Sequence, residues 1–377
     1  MEKGFKKAGE ACFWAALFIE LVIVVIEKSA YTNPYESLVF RLTFLLFCIK
    51  ILSTKYTRGE WLVIILCGGL AVLSYWINER DETVRAAVLV AACKDVDLKK
   101  ELKRILLVTV LGSVVLFVLS ATGIFGSFSI TANFGRGSTP EGSIETRYCF
   151  GMGHPNAFQG MLFMMTTLVL YLYAQRMKLI SFLALLALNL VSYLFTDSNT
   201  AILVTIFAIL GIIVLKYIEP LRQTKIVYAA GAAVFLAAAL FSAYGAVTGV
   251  QNAFMSRLDK VLNGRFQYAY LIEDARLVNW KLFAAPENQA YFDQGFIRLF
   301  YWYGIVIGLG YIAANLYLIW QSWRKKDYCL LVIVAAYAVF SLMEAHLISV
   351  YLLRNYLLIW LGYYWYQPFQ ERVQAKA

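Results

Sequence analysis

Two arginines near glycines, and a polar run that follows the first, carry the chemistry this sequence can do. Arg147 precedes Gly151-Met152-Gly153-His154-Pro155-Asn156, and Arg265 follows Asn263-Gly264. A guanidinium binds two oxygens at once and stays charged, which suits a phosphate or diphosphate. Beside a helix N-terminus the same group completes an anion site. Glu287, immediately before Asn288 and close to Tyr291, is the first candidate for a general base, and His154 is the second. Asp197 lies in Thr196-Asp197-Ser198-Asn199-Thr200, and Glu344, His346 and Arg354 cluster near the C-terminus. Each has a plainer reading. Asn156 serves as a helix cap, Asp197 as a turn former, Arg257 as a contact to lipid phosphate, and Glu344, His346 and Arg354 as helix-to-helix pairs.

The elements that must position these residues are apolar. Hydrophobic residues make up 61% of the 377 and charged ones 15%, against roughly 25% charged in a soluble domain. Runs long enough to cross a bilayer recur, and no strand alternation points to a barrel. The sequence therefore predicts an all-α polytopic integral membrane protein with about 12 transmembrane helices. The spans are 11–26, 38–52, 61–77, 84–92, 105–125, 157–173, 179–195, 201–215, 226–247, 296–320, 328–348 and 351–366, the fourth being the shortest. Residues 1–377 read as one membrane domain with outer loops at about 126–156 and 248–295. The second loop has room for a helix around 266–282.

Charge sets the orientation. With the N-terminus in the cytoplasm, 21 of the 34 lysines and arginines fall on inner segments, and six of the other 13 lie in or beside the 248–295 loop. Long loops count little in this rule, so both termini are expected in the cytoplasm. Every candidate residue then lies on the outer side. The net charge of +10 follows from cytoplasmic lysines and needs no nucleic acid. Ionisable residues in or at the edge of spans default to function, yet Glu20 and Arg41 read best as a structural pair. Asp95-Val96-Asp97 looks like a metal-binding D-x-D, but it sits among lysines on the inner side and reads as a solvated face. Gly308-Leu309-Gly310 reads as helix packing. The cysteines show no disulfide framework or metal spacing.

In order and sidedness these motifs resemble the bacterial O-antigen polymerase and ligase superfamily. The resemblance rests on Arg147, Gly151, Pro155 and Asn156 opening a span, Ser198-Asn199-Thr200 in a turn, Gly264-Arg265 in a large outer loop, and Glu287-Asn288 with Tyr291 before a span bearing Gly304 and Gly308. It runs from about residue 35 to 367 and looks most like Wzy-type polymerases of capsular or exopolysaccharide. Two departures matter: Asn199 stands where the turn usually has arginine, and Glu287 where ligases have histidine. The resemblance implies a glycosyltransferase of the bacterial cytoplasmic membrane, without metal or cofactor, that joins undecaprenyl-diphosphate-linked repeat units on the outer face. Arg147 and Arg265 would meet the diphosphate, with Glu287 or His154 as base. Asn156, Asp197, Arg257, Asn288, Tyr291, Glu344, His346 and Arg354 would contact substrate. Membrane lipid, a chain-length regulator and a flippase are the partners it implies. The alternatives are an O-antigen-type ligase and, behind it, a transporter or flippase of lipid-linked sugars, for which the expected internal repeats are missing.

Overall fold

In a computed structural model, which describes residues 2–29, 31–134, 144–262, 264–272, 274–345 and 348–374, the chain folds almost wholly into helices. All twelve anticipated segments are helical: α1 (Glu2–Lys28), α2 (Glu36–Leu52), α3 (Arg58–Asn78), α4 (Glu82–Ala92), α5 (Leu98–Ala121), α6 (Pro155–Tyr173), α7 (Leu179–Thr196), α8 (Asn199–Tyr217), α10 (Lys225–Thr248), α13 (Gly295–Lys325), α14 (Tyr328–Phe340) and α15 (Leu357–Gln374). A short α9 (Glu219–Gln223) links α8 to α10. Among the described residues, seven are long and apolar enough to cross a membrane: α1, α3, α5, α7, α8, α10 and α13. The other five fall short by length or composition. The shortest, α4, has 11 residues, about 16 Å of helix against a hydrocarbon layer of about 30 Å.

Local chemistry sets several helix starts. Thr57 and Glu60 form a reciprocal capping box on α3. Asp97 caps α5 through the Lys100 amide at 3.1 Å, so the D-x-D is helix-start chemistry. Asp327 caps α14 through the Leu330 amide at 3.0 Å. The helix α14 is apolar on every side and correspondingly buried, packed among α6, α8, α10 and α13. Phe163 meets Tyr337 and Phe340 there, with ring centres 5.3 and 4.9 Å apart.

Contacts between helix ends sort into two faces. At one, which holds the C-terminal end of α1, Gly153 N donates to Lys28 O (2.7 Å), Arg354 pairs with Glu27, and Tyr351 donates to Glu36 (2.9 Å). At the other, Lys94 meets Glu60 (2.5 Å), Lys216 donates to Ala174 O (2.7 Å) and Lys326 to Gln223 O (3.0 Å).

Several expectations need correction. The fifth helix ends at Ala121 rather than 125, where Thr122 to Gly126 turn on two left-handed glycines, Gly123 and Gly126. The eleventh ends at Phe340 rather than 348, with the Ser341 hydroxyl turned back onto Tyr337 O at 2.9 Å. The segment between α5 and α6 contains strands β1 (Ser129–Asn133) and β2 (Ile144–Tyr148), paired antiparallel with Ile130 opposite Arg147. The expected helix over 266–282 is instead a set of short pieces: α11 (Ala253–Val261), α12 (Arg265–Gln267), a π-helical turn Tyr268–Ile272 and a 3-10 turn Leu277–Asn279. Glu20 is buried and accepts from Thr43 at 2.6 Å, whereas Arg41 is exposed, so that structural pair does not form. Gly304 is a break inside α13, at φ +87°. A Cβ there would lie 2.6 Å from Leu282 O, and the freed amides of Ile305 and Val306 bond Lys281 O and Leu282 O at 2.9 and 3.1 Å. The loop before α13 thus replaces the bonds the helix loses.

Candidate functional site

The Gly151–Asn156 run is shaped by how closely it approaches α5. Gly151 has φ +84°, and a Cβ on it would stand 2.2 Å from Leu116 O. Only glycine fits both constraints. Past that point His154, not Asn156, is the cap of α6: its Nδ1 accepts from the Asn156 amide at 3.1 Å, with Pro155 at the first helical position. A proline there loses no helical hydrogen bond, so the cap falls two residues earlier than the asparagine suggested. Since Nδ1 accepts, a neutral His154 ring carries its proton on Nε2. Burial holds this imidazole below its usual range; Asp293 opposes that, and Arg147 and Arg265 reinforce it.

Arg147 reaches the same neighbourhood from β2. Its guanidinium meets Glu145 at 2.5 Å and Asp197 at 3.1 Å, and lies 4.2 Å from the centre of the Phe134 ring. Asp197 ends α7 in the left-handed region (φ 48°). Asp197 therefore forms the turn, as expected, and also pairs with Arg147.

Arg265 is delivered by a compact device in the long loop. Gly264 turns at φ +72°, and the buried Asp259 carboxylate accepts from the Phe266 and Gln267 amides at 2.7 and 3.2 Å. Phe266 is fully buried in the notch above Gly245, where a Cβ would strike its ring at 2.0 Å. So anchored, Arg265 donates through one terminal nitrogen to Glu344 Oε1 (2.9 Å) and lies 3.6 Å from Asp293. Its other terminal nitrogen is buried without a hydrogen-bond partner among the described residues. Asn156 Nδ2 also donates to Glu344 Oε1, at 3.4 Å. Glu344 follows the early end of α14, and Gly295 lets α13 start against it: Gly295 N donates to Ser341 O at 2.8 Å. Burial pushes the Glu344 carboxyl above its ordinary value, Arg265 opposes this, and Asp293 adds to it.

Seven groups of one face therefore converge: Arg147, His154, Asn156, Asp197, Arg265, Asp293 and Glu344. The remaining expected residues lie apart or serve the fold. Glu287 is exposed and engages no other side chain among the described residues. Arg257 is exposed too. Asn288 pins its loop, donating to Tyr301 O at 2.7 Å and accepting at its carbonyl from Arg80 at 3.1 Å. Tyr291 is exposed, with the Arg298 guanidinium 3.9 Å from its ring centre. Arg354 is buried against Glu27, with Nε to Oε2 at 3.0 Å. His346 lies outside the described residues. Asp259 and Asp293 are the residues that sequence reasoning missed. Neither belongs to a motif or a periodic face, and only the Asn-Gly-Arg turn beside Asp259 marked its neighbourhood.

The arrangement can hold an anion between guanidinium groups and set a half-buried carboxylate beside it. Among the described residues no three His, Cys, Asp or Glu side chains converge as metal ligands. No protein-family model, curated protein or solved structure matches the chain, which leaves its helical membrane-type fold and this cluster as the features that describe it.

Proposed function

We propose that this chain is a polysaccharide polymerase that joins undecaprenyl-diphosphate-linked oligosaccharide repeat units at the outer face of the bacterial cytoplasmic membrane. The observation that carries the reading is Arg265: half-buried, held by Glu344, and with one terminal nitrogen buried and without a hydrogen-bond partner among the described residues. A buried donor without an acceptor is costly, and a phosphate oxygen would satisfy it. The twelve helical segments, with their ends sorted into two faces, support twelve spans with both termini on the cytoplasmic side.

In the reaction an acceptor sugar hydroxyl attacks the anomeric carbon of the lipid-linked donor. The new C–O bond forms as the bond to the diphosphate oxygen breaks, and lipid diphosphate leaves with the electron pair. Arg265 and Arg147 stabilise the charge that grows on it. Glu344 takes the hydroxyl proton: both hydrogen bonds it accepts fall on Oε1, and Oε2 accepts none among the described residues. Glu287 lies apart from the arginines, and the Nδ1 of His154 is already engaged, so neither holds the base role in this scheme. His154 Nε2–H is placed to donate. The test is reconstitution of the purified protein with lipid-linked repeat units. A ladder of polymer is expected from the wild type and none from Arg265→Ala. Transfer of glycan to a non-repeat acceptor only would mean a ligase, and movement of unaltered lipid across the bilayer a transporter.

A further inference from the structure

A groove of about 490 Å³ lies where the short α4 meets α3, α13 and α15. Its walls are apolar: Val63 and Leu70 of α3, Val88 of α4, Ile307 of α13 and Leu361 of α15. Along α4 the lining runs from Glu82 to Ala91, about 14 Å of helix. One leaflet's share of a hydrocarbon layer of about 30 Å is about 15 Å. Glycine makes the room: Gly68 and Gly310 both line the groove, and a Cβ on either would meet nothing within 4 Å. Leu70 and Val72, on the α3 wall, are exposed. The groove is therefore open along the flank of a membrane-spanning helix rather than sealed inside the bundle.

One end of the groove is not hydrocarbon, because Glu82 lines it. This residue is only 7% exposed, and its Oε2 has no hydrogen-bond partner among the described residues. The nearby cations are committed elsewhere. Arg80 donates through Nη2 to Asn288 O (3.1 Å) and Gln289 Oε1 (2.9 Å). Its Nη1 stays 3.8 Å from Glu82 Oε1, beyond hydrogen-bond length. Arg85, one turn further along α4, donates to Asp81 (3.2 Å) and to Val350 O. That second bond ties the start of α4 to the segment of Tyr351, which also lines the groove and donates to Glu36 at the face of the candidate site. A buried carboxylate is costly unless a charged donor meets it. Glu82 is thus an under-satisfied anion at the head of an apolar groove one leaflet deep.

We propose that this groove binds an aminophospholipid, with an acyl chain along α3 and α4 and the primary ammonium on Glu82. Charge complementarity selects the head. The unpartnered acceptor is anionic and calls for N–H donors, which a primary ammonium supplies and a quaternary ammonium lacks. A head with net negative charge is repelled. The depth of the groove selects the chain of one leaflet. The site shares no residue with the Arg265–Glu344 cluster and does not rest on the polymerase reading.

The experiment titrates the full-length protein in detergent with phosphatidylethanolamine, phosphatidylcholine and phosphatidylglycerol of identical acyl chains, and counts bound lipid by native mass spectrometry. Phosphatidylethanolamine should be held about tenfold more tightly than either of the others, the equivalent of one hydrogen bond to a charged group. Glu82→Gln removes the charge and should bring phosphatidylethanolamine down to the phosphatidylcholine level. Gly68→Phe fills the groove and should weaken phosphatidylethanolamine about tenfold or more. Phenylalanine favours a helix more than glycine does, so α3 should persist. Gly69→Phe is the control: a Cβ there also meets nothing within 4 Å, but the residue does not line the groove, and binding should match the wild type. If Glu82→Gln is not recovered folded, the three heads on the wild type decide the question. The proposal is overturned if the wild type holds phosphatidylcholine or phosphatidylglycerol as tightly as phosphatidylethanolamine, which would mean annular lipid only. It is equally overturned if Glu82→Gln keeps the preference, or if Gly68→Phe binds phosphatidylethanolamine as the wild type does. Presence or absence of polymer in the reconstitution assay bears on none of these outcomes.

Discussion

At opposite ends of the helical bundle two cation–carboxylate pairs are withdrawn from solvent, and they are built differently. Lys94 meets Glu60 at 2.5 Å, also donates to Lys55 O at 2.7 Å, and lies 4.8 Å from the centre of the Tyr56 ring. The same Glu60 oxygen accepts from the Thr57 amide at 2.6 Å. That pair is saturated by the protein. Arg265 and Glu344 are half-buried, yet one Arg265 nitrogen has no hydrogen-bond partner among the described residues and Asn156 reaches Glu344 only at 3.4 Å. A saturated pair locks helix ends together. An unsaturated one holds capacity for a ligand, and its cost to the empty protein argues that the capacity is used. The difference also separates two uses of capping. Glu60 closes its own helix, whereas Asp259 caps the turn that presents Arg265 to a carboxylate 79 residues away.

Substitutions can break this contrast. Glu344→Gln keeps size and hydrogen bonding but cannot accept a proton, so polymer formation should fall roughly 10²–10⁴-fold. Lipid-linked single repeats should accumulate. Glu287→Gln, at an exposed position away from the arginines, should stay near wild type in the same assay; equal losses at both would dismiss Glu344 as the base. Arg265→Lys keeps the charge and loses the planar fork, and a loss on the order of 10²-fold is expected if two phosphate contacts are made. Arg276→Lys is its control. Arg276 is exposed and paired locally with Asp274, so its replacement should be nearly silent.

On the saturated side the expected effect changes kind. Lys94→Met leaves the Glu60 carboxylate buried without its cation and should destabilise the protein by roughly 3–5 kcal/mol. It should not alter the activity of the fraction that remains folded. A thermal-unfolding series beside specific activity separates the two quantities, and loss of activity without loss of stability would erase the contrast. The smallest effect concerns pH. A base works when deprotonated, so the rate should fall as pH drops through the raised Glu344 pKa. Asp293 is one cause of that rise. Asp293→Asn should therefore move the acid limb of the rate profile to lower pH, and an unmoved or upward-shifted limb would separate Asp293 from Glu344.

Much of this fold is legible in the sequence. Apolar run length located all twelve helices, because each run must hide its backbone polar groups in its own hydrogen bonds. Their ends were less legible. α14 stops eight residues early and α5 four, since turns of Ser, Gly and mixed residues continue the apolar character without continuing the helix. Gly304 reads from the sequence only as a glycine within a span, whereas its positive φ breaks the helix. The cap of α6 was assigned to Asn156 rather than His154, because asparagine is the more usual cap and only geometry shows which side chain faces the free amide.

Within the site, Arg147, His154, Asn156, Asp197, Arg265 and Glu344 were all marked by residue type and by their place near helix ends. Glu287 was marked by the same logic and lies elsewhere. The sequence by itself determined a helical membrane protein with its varied ionisable groups gathered toward one set of helix ends, because hydrophobic runs and charge spacing are local, additive signals. Tertiary structure alone decided which of those groups meet. The Arg265–Glu344 pair and the buried Asp259 support depend on how helices far apart in the chain pack. That packing is the joint outcome of many side-chain contacts, and no short motif records it.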